Sequence, residues 1–363
     1  MIELVLGFLT AFILVVVATP ALIKVAKLKH LVDEPGEARK LHMRSVPTIG
    51  GIMIFAGTII AYSLWFPDKG QHQLGFNYNT LTALSEFKYL VASLFILFFM
   101  GVKDDIIGVS PSKKLFIHFI VGFILVLMAG IRITTFHGLF GLDEIPDWAA
   151  MILSIFTYIV IVNAFNLIDG IDGLASTMGL LASSAFAVWF FQTNDLPLAL
   201  LATALAGSLA GFLVFNFNPA KIFMGDSGSL IIGAVLFVLS VKLIELDWRR
   251  IPVELRGLSK PVLVMAILAY PLVDTLRVFF IRVVAGRSPF SADRNHIHHR
   301  LISLGLGHKK IVLVLTLYSL TIIGLIFVMP ANRPNVSFGV LGALAFGLVQ
   351  LFWLFKPKSK NPS

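Results

Sequence analysis

The chain has 363 residues, 57% of them hydrophobic and 13% charged, with a mean hydropathy of +0.89 and a formal net charge of +9. Soluble domains carry roughly 25% charged residues, so this composition excludes a water-soluble fold and assigns the chain to a bilayer. There is no cysteine, which rules out disulfide frameworks and thiolate metal sites and leaves histidine, carboxylate and phosphate chemistry.

A helix needs about 20 apolar residues to cross the hydrocarbon core. In chain order that criterion selects 3–23, 48–66, 87–103, 115–131, 149–166, 174–192, 197–215, 228–246, 260–280, 311–329 and 336–355. The expectation is an all-α, polytopic integral membrane protein with about eleven transmembrane helices. No basic n-region or small-residue cleavage site precedes the first run, which is therefore expected to be a retained span rather than a signal peptide. No long polar stretch separates the runs, so 1–363 is expected to form a single membrane-embedded domain, with 356–363 as a short basic tail.

Assigning each Lys and Arg to its nearest loop puts 20 of the 29 on one side. The positive-inside rule places that side, with Lys356, Lys358 and Lys360, in the cytoplasm and the N-terminus outside. This placement accounts for the positive charge without nucleic acid, which is not an expected partner. The stretch 247–260, with Arg249, Arg250, Arg256 and Lys260, departs from the bias. No internal repeat with matching broken helices, a frequent transporter feature, is found.

Carboxylates in or beside spans are costly unless paired, metal-bound or facing water, so they mark functional candidates. The first loop carries Asp33-Glu34-Pro35, Arg39-Lys40-Leu41-His42-Met43-Arg44 and Pro47-Thr48-Ile49-Gly50-Gly51. It suits anion contact or, more blandly, attraction to anionic lipid. Asp104-Asp105 ends the third span, followed by Lys113 and Lys114. Neighbours on a helix point about 100° apart, so only one of the two aspartates can face a ligand squarely; a solvated charge pair is the alternative.

In Asn163-Ala-Phe-Asn166-Leu-Ile-Asp169-Gly170-Ile-Asp172-Gly173-Leu-Ala175, helical spacing puts Asn166, Asp169 and Asp172 on one stripe. Gly170 and Gly173 leave room for a ligand at the backbone; a plain Asp/Gly turn competes. Asn216-Phe-Asn218-Pro-Ala-Lys221-Ile-Phe223-Met-Gly225-Asp226-Ser227-Gly228-Ser229 ends in a helix start that suits both capping and phosphate oxygens. The loop after the ninth span holds Asp274, Arg277, Arg282 and Arg287, then Ser291-Ala-Asp293-Arg294-Asn295-His296-Ile-His298-His299-Arg300-Leu301. Zinc is disfavoured there, because no HExxH pattern or cysteine is present; cations beside histidines suit phosphate better, with a solvated basic loop as the alternative.

Taken in order, these segments resemble the polyprenyl-phosphate N-acetylhexosamine-1-phosphate transferases of glycosyltransferase family 4. The shared motifs are Pro-x-x-Gly-Gly, the Asp-Asp pair, NxxNLxDGxDGLA, MGDxGS and a histidine-rich cytoplasmic loop, spanning Asp33 to Leu301. The His296-Ile-His298-His299-Arg300 form, and eleven spans rather than ten, look like the branch that uses UDP-N-acetylglucosamine and undecaprenyl phosphate. The alternative branch, which transfers phospho-N-acetylmuramoyl-pentapeptide in peptidoglycan synthesis, typically has three consecutive histidines. His118 stands where relatives often carry glutamine.

The resemblance implies a bacterial inner-membrane enzyme in which lipid phosphate attacks the β-phosphorus of a UDP-sugar, releasing UMP and initiating a cell-envelope glycan. It implies Mg²⁺, with Mn²⁺ as a substitute, held by Asp226 and the amide oxygen of Asn166. Asp172, Asn216 and Phe223 would form the uridine pocket. Arg44, Lys114, Arg294, Arg300, His296, His298 and His299 would meet the diphosphate or sugar. Asp104, Asp105 and Asp169 complete the catalytic set, the first two positioning or deprotonating the lipid phosphate. A phosphate monoester with a second pKa near ~6 is already mostly dianionic at neutral pH, so direct displacement is favoured over an aspartyl intermediate. A homodimer is compatible with the sequence. A glycolipid transporter is the competing class, disfavoured because the clusters gather on one face rather than at the midplane.

Overall fold

The computed structural model describes residues 1–33, 45–67, 80–286 and 295–355. Its helices are α1 (Ile2–Leu28), α2 (Gly51–Leu64), α3 (Thr80–Ile107), α4 (Pro111–Phe123, continued by a π turn to Met128), α5 (Asp147–Ile168), α6 (Leu174–Gln192) and α7 (Leu196–Asn216). They are followed by α8 (Asp226–Ile244), α9 (Lys260–Ile267), α10 (Ala269–Val284), α11 (Ile297–Ser303), α12 (His308–Ile326) and α13 (Pro334–Leu354). A two-residue antiparallel ribbon, β1 (Val32–Asp33) with β2 (Val46–Pro47), pairs Val32 with Pro47 and Asp33 with Val46. The all-α polytopic architecture expected from hydropathy is present, and every expected span is helical.

Among the described residues, eight helices are long and apolar enough to cross a membrane, and the bent α9–α10 pair makes nine if counted as one span. That pair turns by 82°. The reason is local: Pro271 has no N–H to give to the carbonyl of Ile267, where α9 ends, and its ring would crowd that carbonyl in a continuous helix. Two further expected spans differ in kind. The α2 helix has 14 residues, short of the bilayer, and α3 carries Lys103, Asp104 and Asp105 in its last turns.

The core forms around α7 and α8. Every residue of α8 from Ser227 to Val241 is buried, as expected for a helix with apolar residues on all sides. Small residues permit the close approach of its neighbours; a Cβ on Gly233 would sit 2.5 Å from the Val162 Cα of α5. By contrast α1, α4, α5 and α13 leave Val17, Phe116, Phe156 and Leu351 exposed, which suits contact with lipid chains.

At the bundle end remote from the aspartate and histidine motifs lies the basic stretch that breaks the charge bias, and there the structure supplies the missing reason. Lys260 Nζ donates to the Leu246 carbonyl at 2.5 Å, Arg250 pairs with Asp195 at 3.0 Å, and Arg256 Nε donates to the Ile251 carbonyl at 2.9 Å. Asp195 is itself the N-cap of α7. These cations have fixed partners at helix ends, so their placement reflects packing rather than orientation in the membrane. The opposite end of the bundle gathers the C-termini of α3, α5 and α7, the N-termini of α2, α4, α6, α8 and α12, and the short α11.

Candidate active site

The site is built on the N-terminus of α8. The first N–H groups of a helix have no partner within it, and here α3 supplies one from outside. Asp105 accepts from the Asp226 N–H through Oδ1 at 2.7 Å, and through Oδ2 from the Ser227 N–H at 3.1 Å and the Ser227 hydroxyl at 2.6 Å. Two glycines allow the approach. A Cβ on Gly101 of α3 would lie 2.5 Å from Ser227 Cα, and one on Gly51 would lie 2.0 Å from the Gly228 nitrogen. The Pro47–Gly51 motif docks on the same segment: Gly50 and Gly51 donate to the carbonyls of Phe223 (3.0 Å) and Met224 (2.9 Å), and Phe223 donates to that of Pro47 (2.7 Å).

The two adjacent aspartates therefore divide their duties. Asp105 spends both oxygens on the helix start. Asp104 accepts from the Val109 N–H at 2.7 Å and from Lys114 Nζ at 2.6 Å. Lys114, in the first turn of α4, also reaches Asp226 Oδ2 at 2.8 Å, and Asn166 donates through Nδ2 to Asp226 Oδ1 at 2.8 Å and to Ser229 Oγ at 3.1 Å. Oxygens of Asp104, Asp105 and Asp226 lie within 4.8 Å of one another. One lysine, paired with two of these three carboxylates, leaves excess negative charge, and hard oxygen donors at this spacing fit a divalent cation such as Mg²⁺. Asn166 presents its amide nitrogen, rather than its oxygen, to Asp226.

Asp169 caps the end of α5 in the turn before α6. Burial, then the charges of Asp226 and Asp105, push its carboxyl up to about 7, against the opposing hydrogen bond from the Gly225 N–H. Farther along the turn, burial opposes ionisation of Asp172. Hydrogen bonds from His308, the Ala220 N–H and Asn218 outweigh it and hold the carboxyl below its usual range; the Asn218 amide donates at 2.7 Å and His308 Nδ1 lies 3.5 Å away. Asn216 is buried, accepting from Ser176 Oγ at 2.7 Å and donating to the Ile222 carbonyl at 3.0 Å. Its amide thus ties α6 to the segment before α8. Phe223, which follows the Ile222 that Asn216 holds, is half-buried.

The histidine segment folds onto the same turn. A Cβ on Gly170 would stand 2.5 Å from His298 Nε2, so only glycine admits the imidazole there. His298 is 1% exposed, and neither of its ring nitrogens has a hydrogen-bond partner among the described residues. Burial pushes it down to about 3, so it is neutral, and the positive charge of the segment rests on its arginines. His296 stacks on it with centroids 5.5 Å apart, and His299 lies 4.4 Å from it. Arg300 turns to the last carbonyls of α13, donating to Phe352 (3.2 Å) and Phe355 (2.7 Å) with its guanidinium 5.7 Å from the Trp353 ring centre. A cation at a helix C-terminus is a stabilising arrangement. Arg300→Gln is expected to destabilise the protein by about 1 kcal/mol, read as a lowered melting temperature with KM for donor unchanged. Arg44 and Arg294 lie outside the described residues.

The sequence did not single out His308, named Ser227 and Ser229 only as part of the helix start after Gly225, and noted Asp274 without a role. His308 follows the histidine segment closely in the chain, but it is its contacts with Asp172 and Asn218 that tie it to the site.

Fold and site together define a multi-pass helical membrane protein whose polar machinery is confined to one end of the bundle, the arrangement of an enzyme acting at a membrane face. Residues 87–244 match the family described as glycosyl transferase family 4. The chain is 32% identical over 333 residues to the probable undecaprenyl-phosphate N-acetylglucosaminyl 1-phosphate transferase of Bacillus subtilis, covering 91% of this chain and 85% of that protein. It is 29% identical to the undecaprenyl-phosphate alpha-N-acetylglucosaminyl 1-phosphate transferase of Yersinia pestis, with 89% and 83% covered. It is 33% identical to the decaprenyl-phosphate N-acetylglucosaminephosphotransferase of Mycobacterium tuberculosis, with 87% and 80% covered. The chain belongs to glycosyl transferase family 4.

Proposed function

We propose that this protein transfers N-acetylglucosamine-1-phosphate from UDP-N-acetylglucosamine to a polyprenyl phosphate, releasing UMP. The observation that carries this is the convergence of Asp104, Lys114, Asn166 and Asp226 at one end of the bundle, in a chain whose relatives are named for that transfer. An oxygen of the lipid phosphate forms a bond to the β-phosphorus of the donor. The bond from that phosphorus to the bridging oxygen breaks, and its electron pair leaves with UMP. Such a displacement is catalysed mainly by positioning and by neutralising phosphate charge.

Mg²⁺, held by Asp226 and Asp104, would neutralise negative charge on the diphosphate. Lys114, fixed between two carboxylates, keeps its ammonium at the place where the phosphates meet. Asp105 keeps α8 in register, so that Asp226 and Ser227 open on the site. The turn at Asp172 with Phe223 supplies an acceptor and an aromatic ring for the uracil, and neutral His298 has two free nitrogens for sugar or phosphate groups. The bacterial inner membrane, with this end of the bundle in the cytoplasm and the N-terminus outside, is the setting that the loop charges support.

Purified protein given UDP-N-acetylglucosamine and polyprenyl phosphate should release UMP and yield a labelled extractable lipid. Release of UMP without lipid acceptor, with label retained on protein, would reject single displacement. Faster transfer of phospho-N-acetylmuramoyl-pentapeptide would reject the choice of sugar.

A pH dependence also follows. Asp169 is protonated below about 7, so turnover at limiting Mg²⁺ should fall on the acid side of neutrality. Saturating Mg²⁺ should move that limb to lower pH, because a cation favours the ionised form. An acid limb that ignores Mg²⁺, or that is unchanged in Asp169→Asn, would refute this.

A further inference from the structure

Asp274 sits on α10, one turn past the bend, and is 0% exposed. Neither bilayer nor protein interior solvates a carboxylate, so such a group persists only where hydrogen bonds replace water. Both of its oxygens are engaged with the histidine segment: Oδ2 lies 2.7 Å from His296 Nδ1, and Oδ1 accepts the Ile297 N–H at 2.7 Å. The backbone contact falls at the first residue of α11, and the side-chain contact at its N-cap residue. One buried anion thus fixes where α11 begins and how the His296 ring is turned.

We propose that Asp274 is a positioning residue for the transfer reaction, acting through His296. A carboxylate facing Nδ1 keeps the proton on that nitrogen and aims Nε2 away from it, toward whatever the ring serves. The orientation is passed on by stacking: His296 is nearly parallel to His298, at 14°, and His298 packs against Gly170 in the aspartate turn. Asp274 itself touches none of the carboxylates grouped as a cation site, Asp104, Asp105 and Asp226, so its influence is indirect. It rests on the assignment of the histidine segment to the donor site.

The test is a double-mutant cycle in the full-length protein. Asp274→Asn keeps size and an oxygen for the Ile297 N–H, but can present an amide donor to His296 and favour the wrong tautomer. The expected result is a fall in kcat of about 10²-fold or more, the scale seen when an orienting carboxylate beside a catalytic imidazole is neutralised. KM for UDP-N-acetylglucosamine and the melting temperature should stay near wild type, and Asp274→Glu should recover part of the rate. His296→Gln should lose a similar factor, and the double variant should be no worse than His296→Gln alone, because residues acting as a unit are not additive. Full additivity, or Asp274→Asn turning over within about threefold of wild type while His296→Gln is inactive, would overturn the role of Asp274. A fully active His296→Gln would instead overturn the assignment of the histidine segment.

Discussion

Asp226→Asn is expected to lower kcat by about 10²- to 10³-fold, the usual loss when one preorganised charge is removed from a transition-state site, while the protein inserts and melts as wild type. Asp226 is the residue on which the cluster converges. One oxygen takes the Asn166 amide at 2.8 Å and the other takes Lys114 at 2.8 Å. An amide in its place keeps the shape of the helix start but cannot offer two acceptor oxygens, and it removes one of the three carboxylates that lie within 4.8 Å of one another. Half-saturation by Mg²⁺ should therefore move to higher concentration in the same variant. The measurement is UMP release as a function of Mg²⁺ at saturating donor and lipid. Wild-type rate and metal dependence would sink the assignment.

Gly51→Val should abolish turnover by a different route, lowering the melting temperature along with it. A Cβ at this position would stand 2.0 Å from the Gly228 nitrogen and 2.3 Å from the Ser227 carbonyl carbon. Both are backbone atoms of a helix start pinned by Asp105, so no side chain can swing aside. Overpacking a core costs about 1–3 kcal/mol and sometimes more. Here the relief must come from moving α2 off α8, which breaks the contacts of Gly50 and Gly51 with Phe223 and Met224. Gly347→Val in α13, where a Cβ meets nothing within 4 Å, is the matched control and should retain stability and rate. A stable, active Gly51→Val protein would show that this close approach is dispensable.

These two variants separate what the Pro47–Gly51 and Gly225–Ser229 segments contribute. Read along the chain, both looked like places for a phosphate. In the fold Gly50 is consumed by contact with Phe223 and with Phe212 of α7, and Gly51 by contact with the start of α8, and the Asp226 side chain is what remains open to chemistry. The same division applies to Asp104 and Asp105, of which helix geometry lets only one face a ligand squarely without saying which.

The sequence by itself determined the class of the protein. Apolar runs near 20 residues leave no other way to satisfy a backbone in lipid than helices, and each expected run is helical. Polar residues stranded beside those runs are too costly to be accidental, which is why Asp104, Asn166, Asp169, Asp226 and the histidines could be marked from the chain alone. Tertiary structure decided what each of them does. Asp105 faces a helix start 121 residues away, Asp274 reaches His296 across 22 residues, and Arg300 caps carbonyls 52 to 55 residues further on. Periodicity reports only the face of a residue's own helix. Partners supplied by other helices depend on how closely those helices approach, and here that is set by glycines whose missing side chains carry no hydropathy signal at all.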